Sequence, residues 1–200
     1  MFDPEKIKDI FDKTYETGSL IVKPATDEEI ERCNNDLEEI SGGAGEDYIA
    51  SIKPGAKKKE GADSSVTLSL PEDYAEFLKI ANGYAWNGFE FFGTYQVTVK
   101  QSGYTLSDIV GVNQNYRERK FGLKNKIVLG EFDDDLYAYD FESSKYLVMD
   151  QVTLTPFDEY DSFDELFTGT VGAYAFYDDE DSDDEFEDED IIEDDGNADQ

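Results

Sequence analysis

The chain has 200 residues, of which 49 are acidic and 17 basic, with no histidine and a formal charge of −32. So acidic a chain lacks the Lys and Arg that neutralise phosphates, which argues against nucleic acid or an anionic membrane surface as a partner. Without histidine there is no Ser-His-Asp or Cys-His arrangement and no His-bearing zinc site, and the single cysteine, Cys33, cannot form an internal disulfide. Apolar residues at 38% and aromatics at 14% suffice for a core, so the chain is expected to fold as one domain with appendages. No run of about 18 apolar residues is present, and the start of the chain lacks a basic then apolar leader, so the expected location is cytoplasmic.

In chain order, Phe2, Ile7, Ile10, Phe11 and Tyr15 recur near helical spacing and predict a first helix. Thr26 followed by Glu29 reads as a capping box, opening a second helix whose stripe is Ile30, Cys33, Leu37 and Ile40. Cys33 on that stripe reads as a small core residue. Residues 41–65 hold repeated glycines and the run Lys57-Lys58-Lys59, and are expected to be a flexible insertion. Residues 66–70 alternate like a short strand or an extended lead-in.

A helix is then expected over residues 70–83. Pro71 supplies a first-turn proline, Tyr74, Phe77, Leu78 and Ala81 share a face, and Asn82-Gly83 is expected to cap the C-terminus. Strands are predicted at residues 89–92 and 95–99, and a helix over 106–119 opened by Thr105 or Ser107. Further strands are expected at 127–129, 136–141 and 146–149, the last two joined by a hairpin turn over 141–145. Ser162 with Glu165 reads as another capping box, starting a helix through Leu166, Phe167, Val171 and Tyr174. This order gives an α+β fold, a mostly antiparallel sheet with helices packed on one side. Residues 178–200 carry 15 acids and no base, with little to bury, and read as a disordered acidic tail.

The segment with Leu70, Pro71, Tyr74, Phe77, Leu78, Asn82 and Gly83 resembles the signature of the SUKH superfamily, which includes fungal cell-wall assembly regulators and bacterial toxin-immunity proteins. The strands at 127–130, 133–140 and 146–150 and the helix at 162–167 follow in the matching order. The 41–65 insertion and the long tail depart from that pattern. The resemblance implies a SUKH-like domain over residues 1–177 that binds another protein without catalysis. It implies either an immunity protein that blocks a cognate toxin, commonly a nuclease, or a regulatory scaffold.

The residues themselves also favour binding over catalysis. A strongly acidic body attracts a basic partner and speeds encounter. Glu131, Asp133, Asp134 and Asp135 form the densest acidic cluster of the folded part, read either as a grip on partner Lys and Arg or as a solvated turn. The cluster lacks the glycine and distal glutamate of a calcium loop, so no metal is expected. Trp86 reads either as an exposed binding residue or as a core aromatic bracing the helix–strand junction. Carboxylate pairs are too common here to single out a hydrolase, the third class of function considered. Gly42-Gly43-Ala44-Gly45 lacks a following Gly-Lys-Ser/Thr, so no nucleotide cofactor is expected. The tail is either a polyanionic mimic competing for a partner's basic groove or a solubilising appendage. Truncation after Tyr177 is expected to leave the melting temperature of the folded part nearly unchanged; a cooperative loss of structure by circular dichroism would show that the tail belongs to the fold.

Overall fold

The chain begins with a helix that its own sequence caps. The Asp3 carboxylate accepts from the Glu5 amide at 3.1 Å, and Pro4 occupies the first turn of α1 (Pro4–Tyr15). The computed structural model describes residues 2–41, 66–119 and 123–177. The 41–65 insertion past Ser41 and the 178–200 tail lie outside those residues. Ile7, Ile10, Phe11 and Thr14 form the buried face of α1, whereas Tyr15 points outward at 72% exposure. Thr14 takes the inward position because it continues the stripe one turn beyond Ile10 and Phe11. Its hydroxyl bonds back to the Ile10 carbonyl at 3.0 Å and accepts from the Tyr84 hydroxyl at 3.0 Å.

The Thr26 capping box forms as expected. The Glu29 amide donates to Thr26 Oγ1 at 3.2 Å, and the Thr26 amide donates to the Glu29 carboxylate at 2.9 Å. It opens α2 (Asp27–Ser41), which buries Ile30, Cys33, Leu37 and Ser41. Residues 66–70 are the extended lead-in rather than a strand. Their amides are satisfied by α2 side chains, Leu68 donating to Ser41 Oγ at 2.7 Å and Leu70 to Asn34 Oδ1 at 2.7 Å.

The next helix, α3 (Glu72–Leu78), is shorter than expected at its C-terminal end. Pro71 is its N-cap, one place ahead of the first turn, with its carbonyl accepting from the Ala75 amide at 2.9 Å. Leu70 and Pro71 are buried, and Tyr74, Phe77 and Leu78 are fully so. Asn82-Gly83 does not cap this helix. Residues 81–83 have already left it, because the Asn82 amide donates to the Val22 carbonyl at 3.3 Å and the Val22 amide donates to the Gly83 carbonyl at 3.1 Å. The buried Asn82 side chain is a latch, accepting from the Thr94 amide at 2.7 Å and donating to Thr94 Oγ1 at 2.9 Å. Gly83 has φ +105°, and a Cβ there would lie 2.7 Å from Leu106 Cδ2.

Between Asn82 and Thr94 runs the hairpin β2 (Tyr84–Trp86) and β3 (Phe89–Phe91), turned by Asn87 and Gly88, both at positive φ. A two-residue strand, β1 (Leu20–Ile21), pairs with β2. The expected 95–99 strand contracts to β4 (Val97–Thr98), which forms a separate small hairpin with β5 (Thr105–Leu106). Because Thr105 is in that hairpin, helix α4 (Ile109–Arg119) starts later than expected, with Asp108 Oδ1 accepting from the Gly111 amide at 2.7 Å. Three longer strands follow, β6 (Lys126–Phe132), β7 (Asp135–Asp140) and β8 (Lys145–Asp150). An edge strand, β9 (Pro156–Tyr160), was not legible because its residues are mostly exposed and polar.

Among the described residues the main sheet has the order β1-β2-β3-β6-β7-β8-β9, with every pairing antiparallel. The expected α+β class holds. The chain closes with α5 (Phe163–Phe167), a π-helical turn at Thr168–Gly172 and a last helical turn, α6 (Ala173–Ala175). The Ser162 box is only half present. Ser162 sits at the N-cap without a side-chain bond, and the Glu165 carboxylate accepts from the Asp161 amide at 3.1 Å instead.

Register sorts the sheet into two kinds of row. Tyr84, Phe91, Gly130, Tyr137 and Val148 lie in one row, on the face that meets α1, α3 and α5. The Phe77 ring meets Phe11, Tyr74, Phe91, Phe163 and Phe167 there, at centroid distances of 4.8–6.2 Å. The adjacent row, Leu20, Ala85, Glu90, Glu131, Leu136 and Met149, projects from the opposite face. Where β3 ends, the exposed edge of β6 is completed by Asn113 of α4, whose amide group bonds both the carbonyl and the N–H of Val128 at 2.8 Å.

Replacing Asn82 by Ala strands the Thr94 amide in the core. The expected loss is about 2 kcal/mol in urea unfolding; a loss below about 0.5 kcal/mol would show that the hairpin closes without the latch.

Candidate functional site

The row through Glu90 and Glu131 forms the floor of an open cleft of about 530 Å³. One wall is the β4–β5 hairpin, through Val99, Ser102 and Tyr104. The ends are the segment at Gly18 and Ser19 and the turns bearing Asn87, Gly88 and Asp133. Three of the expected binding residues, Trp86, Glu131 and Asp133, therefore line one cleft. Asp134 and Asp135 do not line it.

Both readings of Trp86 have a counterpart in its position. The side chain is half-buried and packs on the core, nearly parallel to Phe89 at 6.4 Å, yet its residue lines the cleft. Its Nε1 donates to Thr17 Oγ1 at 2.8 Å. Asp133 occupies the β6–β7 turn at φ +52°, a conformation that Asp tolerates better than most residues. The Asp134 carbonyl accepts from the Gln151 amide at 2.8 Å. Asp135 faces Asp150 across the β7–β8 ladder, and its carboxyl is raised by burial, then by Asp150, Asp133 and Asp134.

Two residues of the cleft were not expected from sequence. Glu90 is nine-tenths buried, with Oε2 accepting from the Tyr104 hydroxyl at 2.6 Å and Oε1 from the Ser107 amide at 2.7 Å. Glu90 thus ties the hairpin wall to the sheet floor. Burial, and then the hydrogen bond to Glu90, raise the Tyr104 hydroxyl, so it remains the donor. The half-buried Glu131 carboxyl is raised, first by burial and then by the charge of Glu90 opposite.

Among the described residues no Lys or Arg lines this cleft, and no group of three Asp, Glu or Cys converges to hold a metal ion. Cys33 lies in the core, where burial pushes its thiol up to about 12, which leaves it a poor nucleophile. Among the described residues no helix is long and apolar enough to cross a membrane. The arrangement offers an acidic recess that can hold cationic groups.

An antiparallel sheet with a helical layer and an acidic recess defines a binding domain rather than a catalytic centre. A family model, SUKH_5, described as SMI1-KNR4 cell-wall, matches residues 7–171. The chain belongs to the SUKH family, whose domains are protein-interaction modules of the immunity and regulator type. No curated protein sequence matches it closely enough to count as a relative.

Glu131 gives a stability prediction. Its carboxyl is raised in the folded chain, so the fold binds the proton more tightly than the unfolded chain does. Stability therefore falls as pH rises through the window between the ordinary and the raised value. Glu131→Gln removes that loss and is expected to stabilise the protein near pH 7 by up to about 0.5 kcal/mol, small because the group is only half-buried. The gain is expected to vanish below about pH 4. Thermal melts across pH measure it, and a variant less stable than the parent near neutrality would count against this electrostatic account.

Proposed function

We propose that this SUKH domain is a cytoplasmic immunity-type protein that neutralises a cognate toxin by binding it, without transforming a substrate of its own. The acidic recess carries the reading. Three carboxylates, Glu90, Glu131 and Asp133, line one cleft with no cation beside them among the described residues. A toxin that cuts nucleic acid needs a basic groove to hold phosphates, and an acidic surface competes for that groove. The overall charge of −32 supports fast capture, with complementary fields raising association rates by about 10–10³-fold at low salt. The binding unit is residues 1–177, with Trp86, Glu131, Asp133, Asp134 and Asp135 as its contact residues.

The cell-wall description of the matching family supports a second reading, a regulatory scaffold in which the same surface holds a cell-wall or signalling protein. Deletion that sensitises cells to wall stress in a strain with no toxin gene would select it.

The purified chain, mixed with the toxin encoded beside its gene, is expected to abolish toxin activity at stoichiometric amounts. Association is expected to weaken markedly between low and physiological salt. Toxin activity that persists at saturating protein would overturn the immunity reading.

A further inference from the structure

The floor of the cleft carries an unusual pairing. Glu90 and Glu131 stand directly opposite each other across the β3–β6 ladder, on the same face. Like charges in that position repel. Neither is neutralised from within: both donors to Glu90, the Tyr104 hydroxyl and the Ser107 amide, are uncharged. Asp133 adds a further acid to the lining, and no Lys or Arg lines the recess among the described residues. A second cleft, of about 520 Å³ between α1 and α3, contrasts with it. There Lys79 sits 2.8 Å from Glu76 and 3.6 Å from Asp27, so the acids have their cation in place.

A second observation, independent of the acids, comes from Ser19. Its hydroxyl belongs to the lining of the same cleft, is shielded from solvent and has no hydrogen-bond partner. A ligand with several N–H donors matches this set of acceptors. A hard metal ion does not, since the acids fail to converge as ligands. A guanidinium does: it presents five donors in a flat fork, pairs with a carboxylate through two bonds, and stacks on an aromatic face such as that of Tyr104, which is 39% exposed.

We propose that the cleft between the β3–β6 floor and the β4–β5 hairpin receives an arginine side chain of the partner protein, with Glu131 taking the guanidinium and Tyr104 offering its ring beside it. Glu90, fixed by its two donors, supports the site from below as a positioning residue. The proposal rests on the binding role given above and adds the chemistry of the residue recognised.

The test is a titration of the ¹⁵N-labelled full chain with the blocked peptide acetyl-Gly-Arg-Gly-amide, followed by NMR. The citrulline and lysine peptides of the same form are run beside it. Saturable shifts are expected at the amides of Ala85, Glu90, Ser107 and Glu131. Citrulline, which keeps the shape and loses the charge, is expected to bind at least about tenfold more weakly, and so is lysine. Glu131→Gln is expected to weaken the arginine peptide by about tenfold, while Glu38→Gln, on the exposed face of α2, leaves it unchanged. If Glu131→Gln loses its dispersed spectrum, Glu131→Asp is read in the same way. Non-saturating shifts spread over the acidic surface, equal binding of lysine, or unchanged binding by the Glu131 variant would each overturn the proposal. Toxin neutralisation is read separately. Peptide binding without neutralisation overturns the immunity reading and leaves the arginine pocket standing; neutralisation unchanged in Glu131→Gln overturns the pocket and leaves the immunity reading.

Discussion

The Phe77 ring is where the separate parts of the chain meet. It touches α1 through Phe11, the sheet through Phe91, and the closing helix through Phe163 and Phe167. These partners are 66 to 90 residues away along the chain in the distant cases, so the contact is tertiary in the full sense. Beside it, the Tyr74 hydroxyl lies 2.7 Å from the Phe92 carbonyl and 2.9 Å from that of Leu129, where β3 and β6 diverge. One short helix thus sets the distance between helical layer and sheet, and also the point at which two strands part. Removing bulk from such a ring would leave a void that several elements line at once, which is why large-to-small changes in cores are so costly.

The two faces of the sheet have taken different tasks. The face under α1, α3 and α5 carries the aromatic rings, and their packing fixes the strand register. The opposite row begins with Leu20 and Ala85, passes through Glu90 and Glu131, and returns to apolar side chains at Leu136 and Met149. A slip of one residue in register would send the two glutamates into the aromatic layer, so the core and the recess specify each other.

Much of this could be read from sequence where the signal is local. The Thr26 box needs two side chains three residues apart, and the Tyr74, Phe77, Leu78 stripe needs one helical turn; both formed. The strands β6 to β8 were legible because each is a run of apolar residues flanked by turn formers. What escaped depends on partners distant in sequence. Asn82-Gly83 carries the composition of a helix cap, but its role is decided by Thr94 and Val22, which no local pattern reveals. The short β1 exists through its pairing with β2, and β9 through its pairing with β8. Of the site, Trp86, Glu131 and Asp133 were legible as exposed chemistry. Glu90 was not, because a lone acid between phenylalanines reads as the wet side of a strand, and the donors that bury it lie 14 and 17 residues further on.

The double attachment of Glu90 has a mechanical consequence. The hairpin cannot swing away from the sheet without stripping a buried carboxylate of both its donors, and an ion deprived of hydrogen bonds in a shielded place is heavily penalised. The groove therefore behaves as a rigid mould. It selects by the shape and valence of what enters, keeps its entropic losses on docking small, and offers little room for adaptation to a poorly fitting visitor.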